Sequence, residues 1–132
     1  MTIRWPIIYW TLQIGFIVAA VLNLLHVRAG FLTSHLADLT VPAWLYLVSR
    51  GFVPGKPTQF ALTRWIGRTP ERAASVLLLA SVATEISQRY WPHGLFSGHF
   101  DPFDIAAFGL GIAFCYLCDR FAKTQDTANA AA

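Results

Sequence analysis

Charged residues are scarce in this sequence. Asp, Glu, Lys and Arg make up 13% of 132 residues, where a soluble domain carries about 25%. Hydrophobic residues make up 55%. A soluble bundle of this size has too much surface for so few charges to cover, whereas lipid can cover the rest. The net charge of +3 is modest and its basic residues are not interleaved into a patch, which argues against a nucleic-acid partner. The familiar catalytic templates are also missing: no HExxH, no paired CxxC, no GxSxG, no Walker loop and no Rossmann fingerprint. No metal set, cofactor or catalytic nucleophile is therefore assigned, and the reading leans away from an enzyme. Cysteine is limited to Cys115 and Cys118. At i, i+3 near a cytoplasmic helix end they read as small packing residues. No internal repeat or composition break marks a second domain.

What is present is a series of apolar stretches. No Asp, Glu, Lys or Arg occurs between Trp5 and Val27. At ~1.5 Å per residue such a length crosses a ~30 Å hydrocarbon core. A cleaved signal peptide competes with this reading, but the run is too long and no small-x-small site follows it. Spans are expected at about 6–27, 36–53, 70–91 and 102–121, making residues 1–122 one all-α membrane domain, with a disordered tail at 123–132. The second span is the weakest. Only LTVPAWLYLVS lies free of charge there, and Pro42 interrupts it. Ser34 is its expected cap, Asp38 suits its first turn, and Arg50 can snorkel to the far interface. Thr58 to Arg68 reads as a short interfacial helix with Phe60, Trp65 and Ile66 toward lipid. Thr69-Pro70-Glu71 reads as a helix start of cap, proline and acid.

Lys and Arg set the orientation. Arg50, Lys56, Arg64, Arg68 and Arg72 crowd the middle connection, Arg4 lies at one terminus, and Arg120 and Lys123 lie near the other. The positive-inside rule places these in the cytoplasm, both termini included, and four spans satisfy that parity.

Each helix then brings polar groups to the outer rim. Glu85 and Gln88 share one face near the end of the third helix, while Asp101 and Asp104 open the fourth and Asp38 opens the second. These place Asp38, Glu85, Gln88 and Asp104 in a candidate outer pocket. Around it stand Asn23 and His26 on the Gly15/Ala19 stripe of the first helix, His35, Arg89, His93, His99 and Asp101. Structural readings stand beside this one. Asp101, Asp104 and Asp38 can serve as caps or dipole partners. Glu85 can pair with Arg89 at i+4, and the histidines can be ordinary interfacial residues. On the fourth helix, the stripe through Asp104, Phe108, Gly111 and Cys115 is expected to face the bundle, with Gly109/Ala113 and Ala107/Gly111 as close-packing pairs.

Asp38 opening a short helix, TEISQRYWP ending at Pro92, and FDPFDIAAFGLG from Phe100 to Gly111 together resemble the VanZ-like group. They resemble still more a related uncharacterised family of small four-helix bacterial membrane proteins. Those families share an acid-x-x-Gln ending the third helix and an Asp, apolar residues and a Gly opening the fourth. The matching positions are Glu85, Gln88, Asp104 and Gly109 or Gly111. In VanZ the second helix usually opens with Asp-Lys and a nearby His. Here Leu39 follows Asp38 and His35 precedes it, which brings the chain nearer the uncharacterised relative. The resemblance implies four spans in the bacterial inner membrane and, through the VanZ name, an association with glycopeptide resistance.

Three functional expectations follow. The first is an outer-facing acidic pocket that binds an envelope lipid head group, a precursor or a glycopeptide. The second is a non-catalytic accessory subunit of a larger membrane complex. The third is an intramembrane hydrolase using Glu85 as base.

Overall fold

Helix starts in this chain are written by short local signals. Thr69 accepts the Arg72 backbone N–H at 3.2 Å, Pro70 takes the first helical position, and Glu71 sits in the first turn. Asp101 does the same for the last helix, its Oδ1 accepting the Phe103 N–H at 2.9 Å. The computed structural model describes residues 3–27, 30–55, 60–91, 93 and 100–131, without the side chains of 31–34 and 125–131. Its elements are α1 (Trp5–Leu24), α2 (Phe31–Arg50), α3 (Ala61–Ile66), α4 (Pro70–Tyr90) and α5 (Pro102–Ala131). No strand occurs among the described residues. Two of the helices, α1 and α5, are both long and apolar enough to cross a membrane.

The pairings between helices fix their directions. Gly15 of α1 lies against Thr40, and Trp5 stacks on Phe52 just past α2 at 3.9 Å between ring centroids. Numbers rising on one helix and falling on the other make α1 and α2 antiparallel. Between α2 and α5 the numbers rise together. His35 meets Asp104, Leu39 meets Gly111, Ala43 meets Cys115, and Arg50 meets Asp119. These two helices are therefore parallel and in register along their whole contact. Glu85 reaches Asp101 while Glu71 reaches Arg120, so α4 runs antiparallel to α5.

Helix α2 is the centre of the bundle, packing against α1, α3, α4 and α5. Its Ala43, Tyr46 and Leu47 are fully buried and join Ala73, Leu77, Ile112 and Cys115 in the core. Close approach to α5 depends on Gly111. A Cβ there would stand 2.1 Å from the Leu39 carbonyl oxygen. Phe108, Gly111 and Cys115 line the buried side of α5. Gly109 faces open space and Ala113 is exposed, so the expected Gly109/Ala113 packing pair is not formed. Large apolar side chains cover the bundle's outside, among them Ile14, Ile17 and Leu24 of α1, Leu79 and Ile86 of α4, and Leu110, Phe114 and Phe121 of α5.

Several expected boundaries move. α2 begins at Phe31, after Gly30 at φ 108°, rather than at 36. Ser34 is thus inside the helix instead of capping it, and Asp38 lies two turns in, away from the dipole position. α1 ends at Leu24 rather than 27. α5 continues to Ala131 in place of an ending at 121 and a structureless 123–132. That extension is rich in alanine, the strongest helix former. Of the described part of the expected 58–68 helix, 61–66 is helical, and its Ile66 packs toward the core while Leu62 is exposed. Residues 56–59 lie outside the described residues.

Candidate functional site: an acidic cluster beside an apolar groove

The end of the bundle opposite the Arg-rich connection gathers its acids. Asp38 comes from the second turn of α2, Glu85 from the last turns of α4, and Asp101 and Asp104 from the start of α5. Asp38 and His35 are i, i+3 neighbours and share a helix face. Asp104 arrives because α5 runs parallel to α2 with its first turn at the same level. His35 Nδ1 contacts Asp104 Oδ1, with side chains 13% and 17% exposed. Asp38 lies beside Asp104, with one carboxylate oxygen of each within 4.8 Å of the other, and Glu85 is within electrostatic range. One ligating atom each from His35, Asp38 and Asp104 falls within 4.8 Å of the others.

Glu85 is 3% exposed. Its Oε2 accepts the Asp101 backbone N–H at 3.3 Å. In a self-contained helix start, the cap residue's N–H bonds the acid three residues on, which here is Asp104. Glu85 supplies that acceptor from another helix, and Asp104 turns to His35 and Asp38 instead. The expected Glu85–Arg89 pair is absent among the described ion pairs, and Arg89 is exposed.

A groove of about 730 Å³ runs from this cluster between α2 and α4. Asp38, Glu85 and Gln88 line its polar end. Val41, Pro42, Leu45, Leu77, Ala80 and Phe108 make the rest apolar. Its size suits a small amphiphilic ligand, since pockets for such molecules span about 300–1,000 Å³. Pro42 has no N–H, so the carbonyl of Asp38 lacks its helical partner and adds an acceptor beside the polar end. Ser81, Thr84 and Ser87 also border the groove, yet each hydroxyl bonds a carbonyl of its own helix. That satisfies them internally and keeps the wall apolar.

The remaining expected residues separate from this site. Asn23 and His26 are exposed, and His26 has the left-handed φ of 54° beyond the end of α1. They miss the cluster because α1 packs on α2 alone and, antiparallel to it with Gly15 level with Thr40, carries Asn23 and His26 past the level of His35 and Asp38. His93 is exposed in the turn after α4, and His99 lies outside the described residues. His35 belongs to α2 rather than to the connection before it. The i, i+3 spacing to Asp38 was the available signal for its role.

A second polar cluster occupies the opposite end and went unassigned by sequence. Asp119 is 1% exposed and accepts Tyr46 Oη–H at 2.9 Å, Arg50 Nε–H at 2.5 Å and Arg50 Nη2–H at 3.3 Å. Arg50 also donates from Nη1 to the Gly67 carbonyl at 2.5 Å, and its guanidinium lies 5.4 Å from the Phe52 ring centre. Arg50 is thus held inside the bundle and does not snorkel to the interface. Asp119 follows Cys115 by i+4 on the buried stripe, a placement that marks it as internal. No protein-family model, curated protein or solved structure matches the chain.

Proposed function

We propose that this chain is a four-span protein of the bacterial inner membrane that binds the polar head of an envelope amphiphile at its outer face. The parallel register of α2 and α5 supports the span count. Helix α5 passes the length and apolarity test for a span, and α2 lies alongside it from His35 to Arg50. Helices α1, α2 and α4 are 20, 20 and 21 residues long, about 30 Å each and matched to a bilayer core. Their shared ends place Arg50, Arg64, Arg72 and Arg120 on one side, which the positive-inside rule assigns to the cytoplasm. The acids then face outward.

One observation carries the functional reading: three acids and a histidine from three helices meet at the mouth of an apolar groove. A ligand with a chain along Val41, Leu45 and Leu77 would bring its head to Asp38, Glu85 and Gln88. Intramembrane acids that face a cavity mark functional sites more often than structural ones. The resemblance to the VanZ-like group, carried by Glu85, Gln88, Asp104 and Gly109 or Gly111, points to the same rim.

The test uses the full chain in detergent and dansyl-labelled C12 amphiphiles bearing an amine, a phosphate or a glucose head. The expected result is saturable binding of one head class, lost in Ala80→Trp, which fills the groove, with thermal unfolding unchanged. Equal partitioning of all three probes, unaffected by Ala80→Trp, would remove the pocket.

A further inference from the structure

We infer that His35, Asp38 and Asp104 bind a divalent transition-metal ion, Zn²⁺ or Mn²⁺, and that the ion receives a phosphate head group at the mouth of the groove. The inference deepens the pocket reading and rests on it for the phosphate.

The first argument is the donor set. His35 and Asp38 are i, i+3 on α2, and Asp104 faces them from α5. Helical bundles build metal sites from this acid and histidine spacing, with further carboxylates from facing helices. One imidazole with two carboxylates suits Zn²⁺ or Mn²⁺ better than an all-oxygen site for Ca²⁺. Ligands about 2.0–2.2 Å from a common ion stand roughly 3–3.6 Å apart. The three donors here lie within 4.8 Å of one another, so small side-chain rotations close the set. Three protein ligands leave coordination positions open to an incoming oxygen.

The second argument is charge and is independent of spacing. One carboxylate oxygen each from Asp38 and Asp104 lies within 4.8 Å of the other, and both residues are half-buried. Two carboxylates settle that close only with a proton or a cation between them. Glu85 adds a further acid, 3% exposed, on the wall of the same groove. The nearest arginine in sequence, Arg89, is exposed on the outer surface. His35, in contact with Asp104, can offset at most one of these three acids, which leaves the cluster able to take up a cation. A bare acidic mouth would also repel the phosphates that most envelope amphiphiles carry. A divalent ion reverses the sign of the field at the mouth, where Gln88 can donate to the remaining phosphate oxygens.

The measurement is metal binding by the full-length protein in mild detergent, after chelator stripping. Zn²⁺ is counted by equilibrium dialysis and Mn²⁺ is followed by electron paramagnetic resonance. The expected result is one ion per chain, with affinity reduced at least ~10-fold in Asp38→Asn, Asp104→Asn and His35→Gln. Glu71→Gln, on the far surface, leaves it unchanged. Thermal unfolding of the stripped variants confirms that they fold. Absence of stoichiometric binding, or binding that survives both Asp variants, overturns the metal site. The dansyl phosphate probe separates the two ideas. Retention of that probe in EDTA, with loss in Ala80→Trp, would keep the pocket and refute the ion. Metal binding with no groove-dependent probe binding would keep the ion site and refute the pocket.

Discussion

Replacing Asp119 with Ala removes the acceptor shared by Arg50 and Tyr46, two groups that cannot reach water without opening the bundle. Asp119 is 1% exposed and the Arg50 side chain 10% exposed. After the change, Arg50 keeps the Gly67 carbonyl and the Phe52 ring, while the Tyr46 hydroxyl loses its recorded acceptor. Truncating one member of a buried pair costs about 3–5 kcal/mol, mostly because the other charge is left behind. Against a typical total of about 5–15 kcal/mol, that is a third or more of the stability. The comparison pair is Glu71–Arg120, with side chains 53% and 58% exposed. Its removal by Glu71→Ala should cost about 0–1 kcal/mol. The double variant Arg50→Met/Asp119→Leu removes both charges and should cost less than Asp119→Ala alone. Equilibrium unfolding by SDS titration, followed by ellipticity at 222 nm, measures all three. If Asp119→Ala and Glu71→Ala agree within about 0.5 kcal/mol, the buried pair is not what the geometry implies.

Two glycines two residues apart on α5, and so on nearly opposite faces, should respond oppositely. Gly111→Ala places a Cβ 2.1 Å from the Leu39 carbonyl oxygen, and this overpacking should cost about 1–3 kcal/mol or more. Gly109→Ala meets nothing within 4 Å and should stabilise by up to about 1 kcal/mol through helix propensity. The same SDS titration reads both, and equal effects would contradict the α2–α5 contact. Thr69→Ala deletes the cap of α4 and should cost about 1 kcal/mol. Thr69→Ser, which keeps the hydroxyl, should restore most of it, and a loss shared by both variants would argue against capping.

The parts of this fold that could be read from sequence were those with a local cause. Thr69-Pro70-Glu71 and Asp101-Pro102 carry their cap chemistry within three residues, so the starts of α4 and α5 were plain. The level of Glu85 and Asp104 followed from counting turns back from the same connection. Helix α2 was harder, for a physical reason. Hydropathy scores how well a helix tolerates an apolar surrounding on all sides, and α2 is enclosed by four other elements. It can carry Asp38 and Arg50 because neighbouring elements face those groups, while the Thr40 hydroxyl bonds the Leu36 carbonyl of its own helix. α4 similarly hides its hydroxyls in its own backbone, and its mean hydropathy understates how apolar its surface is. The Arg50–Asp119 pair depends on two helices 69 residues apart, and neither local sequence betrays the other. Arg50 therefore read as an interfacial residue. Asn23 and His26 failed for the opposite reason. Helical spacing put them on one stripe, but α1 touches only α2 and carries them past the level where the acids gather.

The co-directional pairing of α2 and α5 also constrains how the chain can be assembled. Among the described residues, His35–Asp104 and Arg50–Asp119 tie the two ends of α2 to side chains of α5, which follows it in the chain. Before α5 is in place, Arg50 has the Gly67 carbonyl and the Phe52 ring but not its carboxylate. The full side-chain pairing of α2 therefore requires α5, however early α2 itself becomes helical.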